Sequence, residues 1–220
     1  MSLDRHYDAP TGRKRGPYTP EATRAELLQL ALELFSQRGF QGTTIQAIVE
    51  KAHVTKGAFY HHFENKEDVL RQIHFEYASQ MLAGAQEIST LELPPVERLR
   101  LIIKNAVVLL TTYSAHVAVF YQEHRFLSGA QFAAIREMHQ QEEEILVRTI
   151  EAAQDAGELR ADVDVKLLVF TISGITAWTY QWYQPSGPYS IEAIASELAE
   201  TILSGVATAP VLAAAGRRGS

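Results

Sequence analysis

The chain has 220 residues, of which 46% are hydrophobic, enough for one large or two small helical domains. It contains no cysteine, which excludes disulfides and thiolate metal sites and fits a reducing compartment. The net charge of −6 argues against nucleic-acid binding by the whole surface. However, ten Lys and Arg stand against nine Asp and Glu through Arg71, and ten against seventeen after it. The first third of the chain can therefore offer a basic face to phosphates.

A flexible arm is predicted for residues 1–17, which are polar and include two glycines and two prolines. Its cations Lys14 and Arg15 precede the first predicted helix. One interpretation of these cations is a solvated charge run. In front of a DNA-binding unit, contact with phosphates or with the minor groove is the alternative.

The first predicted helix runs from about Pro20 to Arg38, and Gly39 ends it. Two shorter helices joined by a tight turn follow, with Thr44 and Thr55 as N-cap residues. Apolar residues at helical spacing give the first of these two a buried face. The second turns Ala58 and Phe59 inward and leaves four residues outward: Lys56, Gly57, Tyr60 and His61. A helix-turn-helix presents such a helix to the major groove.

The run Thr43–Phe63, with the following ENKE, resembles the DNA-binding segment of TetR-type transcriptional repressors. The pattern of that family is TT-x-x-x-I-A-x-x-A-G-V-[ST]-K-G-x-[FL]-Y-x-[HY]-F-x-[NS]-K-E. Val49 replaces a small Ala of the pattern, and His53 replaces the turn Gly. Histidine tolerates the left-handed conformation better than most residues, so the turn is expected to survive.

The resemblance implies contacts with a double-stranded DNA operator. Phosphate contacts are expected from Lys14, Arg15, Lys56 and Lys66. Residues expected nearest the bases or the sugar-phosphate are Thr55, Gly57, Tyr60 and His61. Thr43 and Thr44 are expected to touch the DNA backbone at a helix N-terminus.

Downstream of Asn65 the sequence predicts only helices, so the fold class is all-α. A long helix reaches about Ile88, and Leu93-Pro94-Pro95 interrupts the chain. Five helices follow, over about 96–113, 117–125, 131–156, 162–183 and 191–206. The expected domains are a flexible basic arm (1–17), a three-helix helix-turn-helix DNA-binding domain (18–65), a helical effector-binding and dimerisation domain (66–206) and a disordered tail (207–220).

The helix predicted over 162–183 is apolar nearly all round and must be covered on every side. Gly174 at its middle suggests close approach of another helix. Together with the apolar stripe of the last helix, it predicts a face that pairs with its copy in a homodimer. A core within one chain is the alternative interpretation. A dimer predicts an operator with two inverted half-sites.

Aromatic residues concentrate in the second half of the chain, where they could form either core or an apolar ligand cavity with cationic anchors. The predicted ligand-binding residues are Tyr113, Phe120, Tyr121, Arg125, Arg136, Trp178, Trp182 and Tyr183. Three segments, EHRxL from Glu123, GELxxDVD from Gly157 and WxxxWYxPxG from Trp178, resemble the effector domain of the acyl-CoA-responsive branch of TetR-type proteins. The resemblance implies release by an acyl-CoA thioester, with Arg125, Arg136 or Lys166 near the CoA phosphates.

Other functions are considered beside this one. A multidrug-sensing repressor of the same fold would favour a pocket lined by Glu123 or Glu142 rather than by arginine. A helical acyl-thioester hydrolase is a remote alternative, since no catalytic motif occurs in the required context. Adjacent His61 and His62 point about 100° apart on a helix and do not chelate one metal together. No catalytic residue, metal or cofactor is therefore expected.

A cytoplasmic protein without a membrane partner is expected. The first ten residues lack the apolar segment of a signal peptide. The longest uncharged run, Leu167 to Ile191, is interrupted by polar residues and two prolines, so its helical part is expected to be buried in protein.

Overall fold

The computed structural model describes residues 20–123, 126, 130–209 and 211, the side chains of 130 and 131 excepted. Within them the chain forms ten helices: α1 (Pro20–Gly42), α2 (Ile45–Ala52), α3 (Lys56–His62), α4 (Lys66–Ser89), α5 (Pro95–Thr112), α6 (Ser114–Glu123), α7 (Ala130–Asp155), α8 (Val165–Ala177), α9 (Thr179–Trp182) and α10 (Ile191–Val206). One isolated bridge joins Leu159 and Ala207. The all-α prediction is confirmed.

The first helix contains a break where the sequence predicts its end. Gly39 has φ 73° and ψ 164°, a conformation that only glycine adopts without strain, and Phe40–Gly42 form a further turn beyond it. Downstream, α4, α5, α7 and α10 start and end within about two residues of the predicted bounds. The prediction of a disordered tail over 207–220 is wrong for its first residues: Ala207 is buried and bridges Leu159, and Thr208 donates to the carbonyl of Gly157. The rest of that tail, apart from residues 209 and 211, lies outside the described residues.

The prediction of a single helix over 162–183 is wrong. The structure has a loop to Asp164, whose side chain caps α8, and a break at Trp178 that separates α8 from the short α9. No Gly or Pro stands at that break, so local sequence gives no signal for it. Beyond the break, Tyr180 stacks on Tyr121 of α6 and packs against the cluster that α4, α5 and α6 form around Tyr77 and Leu110.

Helix α4 contributes to all three hydrophobic clusters of the described chain. Its first turns place Val69, Leu70 and Ile73 in the cluster formed with α1, α2 and α3. Its middle packs with α5 and α6, and its last turns pack with α5, α7, α8 and α10. The cluster around α1–α3 also includes Val119 from α6, so both α4 and α6 pack against the three N-terminal helices.

Among the described helices, none is by itself long and apolar enough to cross a membrane. Helices α5 and α6 reach that length and composition only when taken together, and they are bent by 82° relative to each other.

Candidate DNA-reading helix and effector site

Threonine side chains begin both short helices of the helix-turn-helix. Thr44 Oγ1 accepts the N–H of Ala47 at 3.1 Å, and Thr55 Oγ1 accepts the N–H of Ala58 at 3.2 Å. Between the helices, His53 adopts the left-handed conformation with φ 54° and ψ 41° and closes α2. Both predicted caps and the predicted turn are therefore confirmed, with histidine serving where the family pattern has glycine.

The two faces of α3 differ sharply in exposure. Phe59 is fully buried, whereas Tyr60 beside it is 55% exposed. The exposed set matches the predicted outward face: Lys56, Gly57, Tyr60 and His61. Thr44 and Thr55 are exposed as well. The geometry is that of a short helix able to enter a groove about 12 Å wide, and its DNA contacts stay a prediction.

Thr43 is fully buried, and its hydroxyl donates to the carbonyls of Leu34 at 3.2 Å and Gly39 at 2.9 Å. Its own N–H donates to the carbonyl of Phe40. A hydroxyl with no exposed surface cannot reach a phosphate, so the predicted DNA contact of Thr43 is wrong. The residue instead closes the end of α1.

Lys66 also differs from its predicted role. Its Nζ donates to the carbonyls of Phe40 at 2.6 Å and Thr43 at 2.8 Å, and it lies 4.2 Å from the centre of the Phe40 ring. Burial lowers the pKa of Lys66, while the charges of Glu67 and Glu123 act in the opposite direction. An ammonium held by two carbonyls is not free for a phosphate, so the structure assigns Lys66 to joining the start of α4 to the connection between α1 and α2.

Three predicted site residues, Lys14, Arg15 and Arg125, lie outside the described residues. So does the predicted arm that contains the first two of them.

An aromatic cluster lies where α4, α6, α7 and α9 meet. Tyr121 of α6 stacks on Tyr180 with ring centres 5.6 Å apart, and Phe120 stacks on His74 of α4 at 3.8 Å. Burial raises the pKa of Tyr121, with a smaller effect from Tyr180. Tyr113 packs beside Tyr77 in the neighbouring cluster. The structure thus brings together three of the predicted ligand-binding residues: Tyr113, Phe120 and Tyr121.

The other predicted ligand-binding residues are distributed differently. Arg136 is exposed on α7, with its guanidinium 5.5 Å from the centre of the Phe132 ring. Trp178 is 62% exposed and Trp182 is 46% exposed, while Tyr183 is partly buried. These tryptophans are therefore open to a further contact, from a ligand or from a second chain.

Two histidines in this region escaped the sequence analysis. The Nε2 atoms of His74, which is buried, and His139 are 3.3 Å apart, and a carboxylate oxygen of Glu142 lies 3.8 Å from His139 Nδ1. The available signal was that His74 falls between Ile73 and Tyr77 on the apolar side of α4. The described residues contain no group of three His, Asp or Glu placed to hold a metal ion.

An apolar face remains exposed on α8. Leu167 is 64% exposed and Phe170 is 54% exposed, and Ile175 belongs to the same exposed set. A groove of about 440 Å³ runs between α8 and α10 and includes Leu167, Ile175 and Gly205. No heavy atom lies within 4 Å of a Cβ built on Gly174, so within the described part of the chain nothing approaches that glycine closely. The close approach of another helix predicted at Gly174 does not occur within the described part of one subunit.

A cleft of about 690 Å³ lies between α1 and α4, with His116 of α6 in its lining. Arg24 hydrogen-bonds Gln72 within it, and Glu76 lies 3.9 Å from His116 at its edge. Burial lowers the pKa of His116, and Glu76 acts in the opposite direction. Arg24, Arg71 and Glu76 all line this cleft, so it carries charges of both signs.

Two family models match the chain. The one described as "Bacterial regulatory proteins, tetR family" matches residues 27–73, which contain α2 and α3. The one described as "Tetracyclin repressor-like, C-terminal domain" matches residues 92–206, which contain the aromatic cluster of α6 and the exposed face of α8.

Similar proteins agree with both models. The HTH-type transcriptional repressor KstR2 of Mycolicibacterium smegmatis is 28% identical over 191 residues, covering 86% of this chain and 93% of the relative. The structure of the ketosteroid transcriptional regulator KstR2 of Mycobacterium tuberculosis superposes with a TM-score of 0.78 at 27% identity, covering 84% of this chain and 95% of that one. AibR in complex with isovaleryl coenzyme A and operator DNA gives a TM-score of 0.72 at 28% identity, covering 81% of this chain and 97% of that one.

Proposed function

Because the chain belongs to the TetR family and is a transcriptional repressor with a helix-turn-helix, we propose that it acts as a homodimer which an acyl-CoA thioester releases from an inverted-repeat operator. Proteins of this family are regulators rather than enzymes. We place its site of action in the cytoplasm, with the DNA it controls. We also retain the proposed division into a DNA-binding domain over 18–65 and an effector-binding and dimerisation domain over 66–206.

The proposed DNA contacts rest on the exposed side of α3. Lys56 meets phosphates, while Gly57, Tyr60 and His61 lie nearest the bases, since these are the residues of α3 that face away from Phe59. Exposed Thr44 and Thr55 approach the DNA backbone at the two helix N-termini. Lys14 and Arg15 contribute from the arm.

The proposed homodimer rests on the exposed apolar face of α8 beside α10. Side chains such as Leu167 and Phe170 would leave water when a second copy packs there, which contributes about 25 cal/mol for each Å² of apolar surface removed from water. A second copy would also supply the close neighbour that Gly174 lacks within the described chain. Two subunits related by a two-fold axis then present two α3 helices to two inverted half-sites.

The acyl-CoA effector is proposed chiefly on one observation: AibR, similar over 81% of this chain, is a complex with isovaleryl coenzyme A and operator DNA. The aromatic side chains of α6 and α9 offer apolar walls for an acyl group. Arg125 and Arg136, with Lys166, offer cations for CoA phosphates. The exposed Trp178 and Trp182 and the partly buried Tyr183 complete the proposed ligand-binding set.

Release follows from linkage. An effector that binds better to a conformation with the wrong spacing of the two α3 helices lowers operator affinity by the ratio of its affinities for the two conformations. A multidrug-sensing repressor is the second candidate, favoured by Glu142 beside the aromatic cluster. Glu123, the other acid considered for that function, is already engaged by a backbone N–H.

A screen of operator release tests the effector class. Acyl-CoAs of graded chain length and ring content are added to the protein on an operator fragment selected by the protein from random DNA. Release at micromolar concentration by a subset of thioesters is expected. Trp178→Ala is expected to raise the concentration needed for release while leaving operator affinity unchanged. Release by cationic drugs and by no thioester would contradict the proposal, and a monomeric Trp178→Ala protein would assign that residue to the interface.

Lys56→Ala tests the phosphate contact. We expect weaker binding to every DNA sequence and a salt dependence of log affinity that is shallower by roughly one unit, because one counterion fewer is released. The measurement is operator affinity between low and physiological salt. Lys51→Ala, which removes an exposed cation of α2 paired with Glu33, is the matched control. An unchanged slope in Lys56→Ala would exclude Lys56 from the phosphate contacts.

A further inference from the structure

The last residue of α6, Glu123, is an acid buried at the border between the two halves of the molecule. Its side chain is 7% exposed, and its Oε1 accepts the N–H of Phe40 at 2.9 Å, a bond between residues 83 positions apart. A buried carboxylate is costly unless hydrogen bonds and opposite charge compensate it. The DNA contacts proposed for α3 do not by themselves explain why a carboxylate is buried at this position.

The bond falls at the break in α1. Gly39 departs from helical geometry, and the N–H that Glu123 accepts belongs to the next residue. A Cβ at Gly39 would lie 3.2 Å from the same carboxylate oxygen, so the absence of a side chain there lets α6 approach. The end of α1 is thereby shaped by a residue of α6.

The same peptide segment is also held by α4. Lys66 donates to the carbonyls of Phe40 and Thr43, and Thr43 immediately precedes Thr44, the cap of α2. The Phe40 ring stacks on Phe126 with ring centres 5.3 Å apart. The connection from α1 to α2 is thus hydrogen-bonded to both α6 and α4, and the negative charge of Glu123 acts to raise the pKa of Lys66.

We propose that Glu123 is a positioning residue for operator binding. Its carboxylate holds the connection between α1 and α2 in the arrangement that orients α3 for the DNA, and a displacement of α6 breaks this bond and disorients α3. The inference rests on the proposed contact of α3 with the operator. It makes the end of α6, rather than α4 alone, a route by which the effector half acts on the DNA-reading half.

Three substitutions of Glu123 test the proposal in the full-length chain. Glu123→Ala removes the acceptor, Glu123→Asp withdraws the carboxylate by one methylene while keeping its charge, and Glu123→Gln retains an acceptor oxygen without charge. Gln122→Ala changes the exposed neighbour on α6 and serves as the control. Operator affinity is measured by fluorescence anisotropy, and hydrogen exchange is followed in α2, α3 and α10.

We expect Glu123→Ala and Glu123→Asp to weaken operator binding by about tenfold or more, the effect of losing a hydrogen bond to a charged group. Exchange is expected to accelerate at Phe40 and in α2 and α3, and to stay unchanged in α10. Glu123→Gln is expected to bind within about threefold of the wild type, because its amide oxygen still accepts the Phe40 N–H.

Two results would overturn the inference. One is a lower unfolding temperature in Glu123→Ala or Glu123→Asp together with wild-type operator affinity and wild-type exchange in α2 and α3. The other is faster exchange throughout the chain, α10 included, which assigns Glu123 to global stability. If Glu123→Ala fails to fold, the operator affinity and hydrogen exchange of Glu123→Asp test the positioning role instead. Failure of the wild-type protein to select any DNA would instead contradict the proposed operator contact, while exchange at Phe40 and in α2 and α3 would still test the positioning role.

Discussion

Phe170→Glu is expected to turn the dimer into a monomer and to lower operator affinity by two orders of magnitude or more. Phe170 is 54% exposed on the apolar face of α8, so a single chain tolerates a charge at this position. In a two-fold interface the new carboxylate would lie unpaired in an apolar environment on both subunits, and each buried, unpaired charge costs several kcal/mol. A monomer then engages one half-site with one α3 helix and loses the second set of contacts.

Light scattering after size exclusion gives the mass, and fluorescence anisotropy gives the operator affinity. Leu91→Glu is the matched control, since Leu91 is a leucine 40% exposed in the turn between α4 and α5 and belongs to neither α8 nor α10. It is expected to remain a dimer with wild-type affinity. A Phe170→Glu protein that is dimeric at micromolar concentration would place the subunit interface elsewhere.

Phe59→Ala is expected to lower the stability of the fold, whereas Tyr60→Ala is expected to lower operator affinity with little change in stability. Phe59 is fully buried among α1, α2 and α4, so its truncation should lower the free energy of unfolding by about 3–5 kcal/mol. Tyr60 is 55% exposed, so Tyr60→Ala should change the free energy of unfolding by only about 0.5 kcal/mol. The same substitution should weaken operator binding by about tenfold or more, because its ring faces the proposed DNA surface.

Urea unfolding followed by circular dichroism measures the free energy of unfolding of each variant. Operator affinity is measured separately, at urea concentrations well below the unfolding midpoint. If Tyr60→Ala binds the operator as tightly as the wild type, α3 does not read DNA through this residue. If Phe59→Ala is as stable as the wild type, the packing of α3 differs from the one described.

Local patterns in the sequence account for much of this fold. The apolar positions of α10 recur at i, i+3, i+4 and i+7, and its bounds, Ile191–Val206, are those predicted. The caps Thr44, Thr55 and Asn65 were predictable because a side-chain oxygen at a helix start serves its own N–H groups. Each of these features depends on residues within a few positions of one another.

The errors concern contacts between distant residues. Lys66 looks like a phosphate ligand in the sequence, but its partners are the carbonyls of Phe40 and Thr43, 26 and 23 positions away. Thr43 looks like a second exposed threonine, but the end of α1 covers it. The break at Trp178 arises without Gly or Pro, where Tyr180 joins side chains from other helices. These tertiary interactions join residues far apart in the chain, so the local spacing of residue types does not predict them.

The participation of α4 in all three clusters has a mechanical consequence. Its 24 residues span about 36 Å at 1.5 Å per residue, and both ends are packed against different groups of helices. A tilt of about 5° around its far end would displace the near end by about 3 Å, close to the 3.4 Å step between stacked bases. In the proposed dimer on DNA, a small tilt of α4 at its effector end would therefore shift each α3 by roughly one base-pair step along the operator.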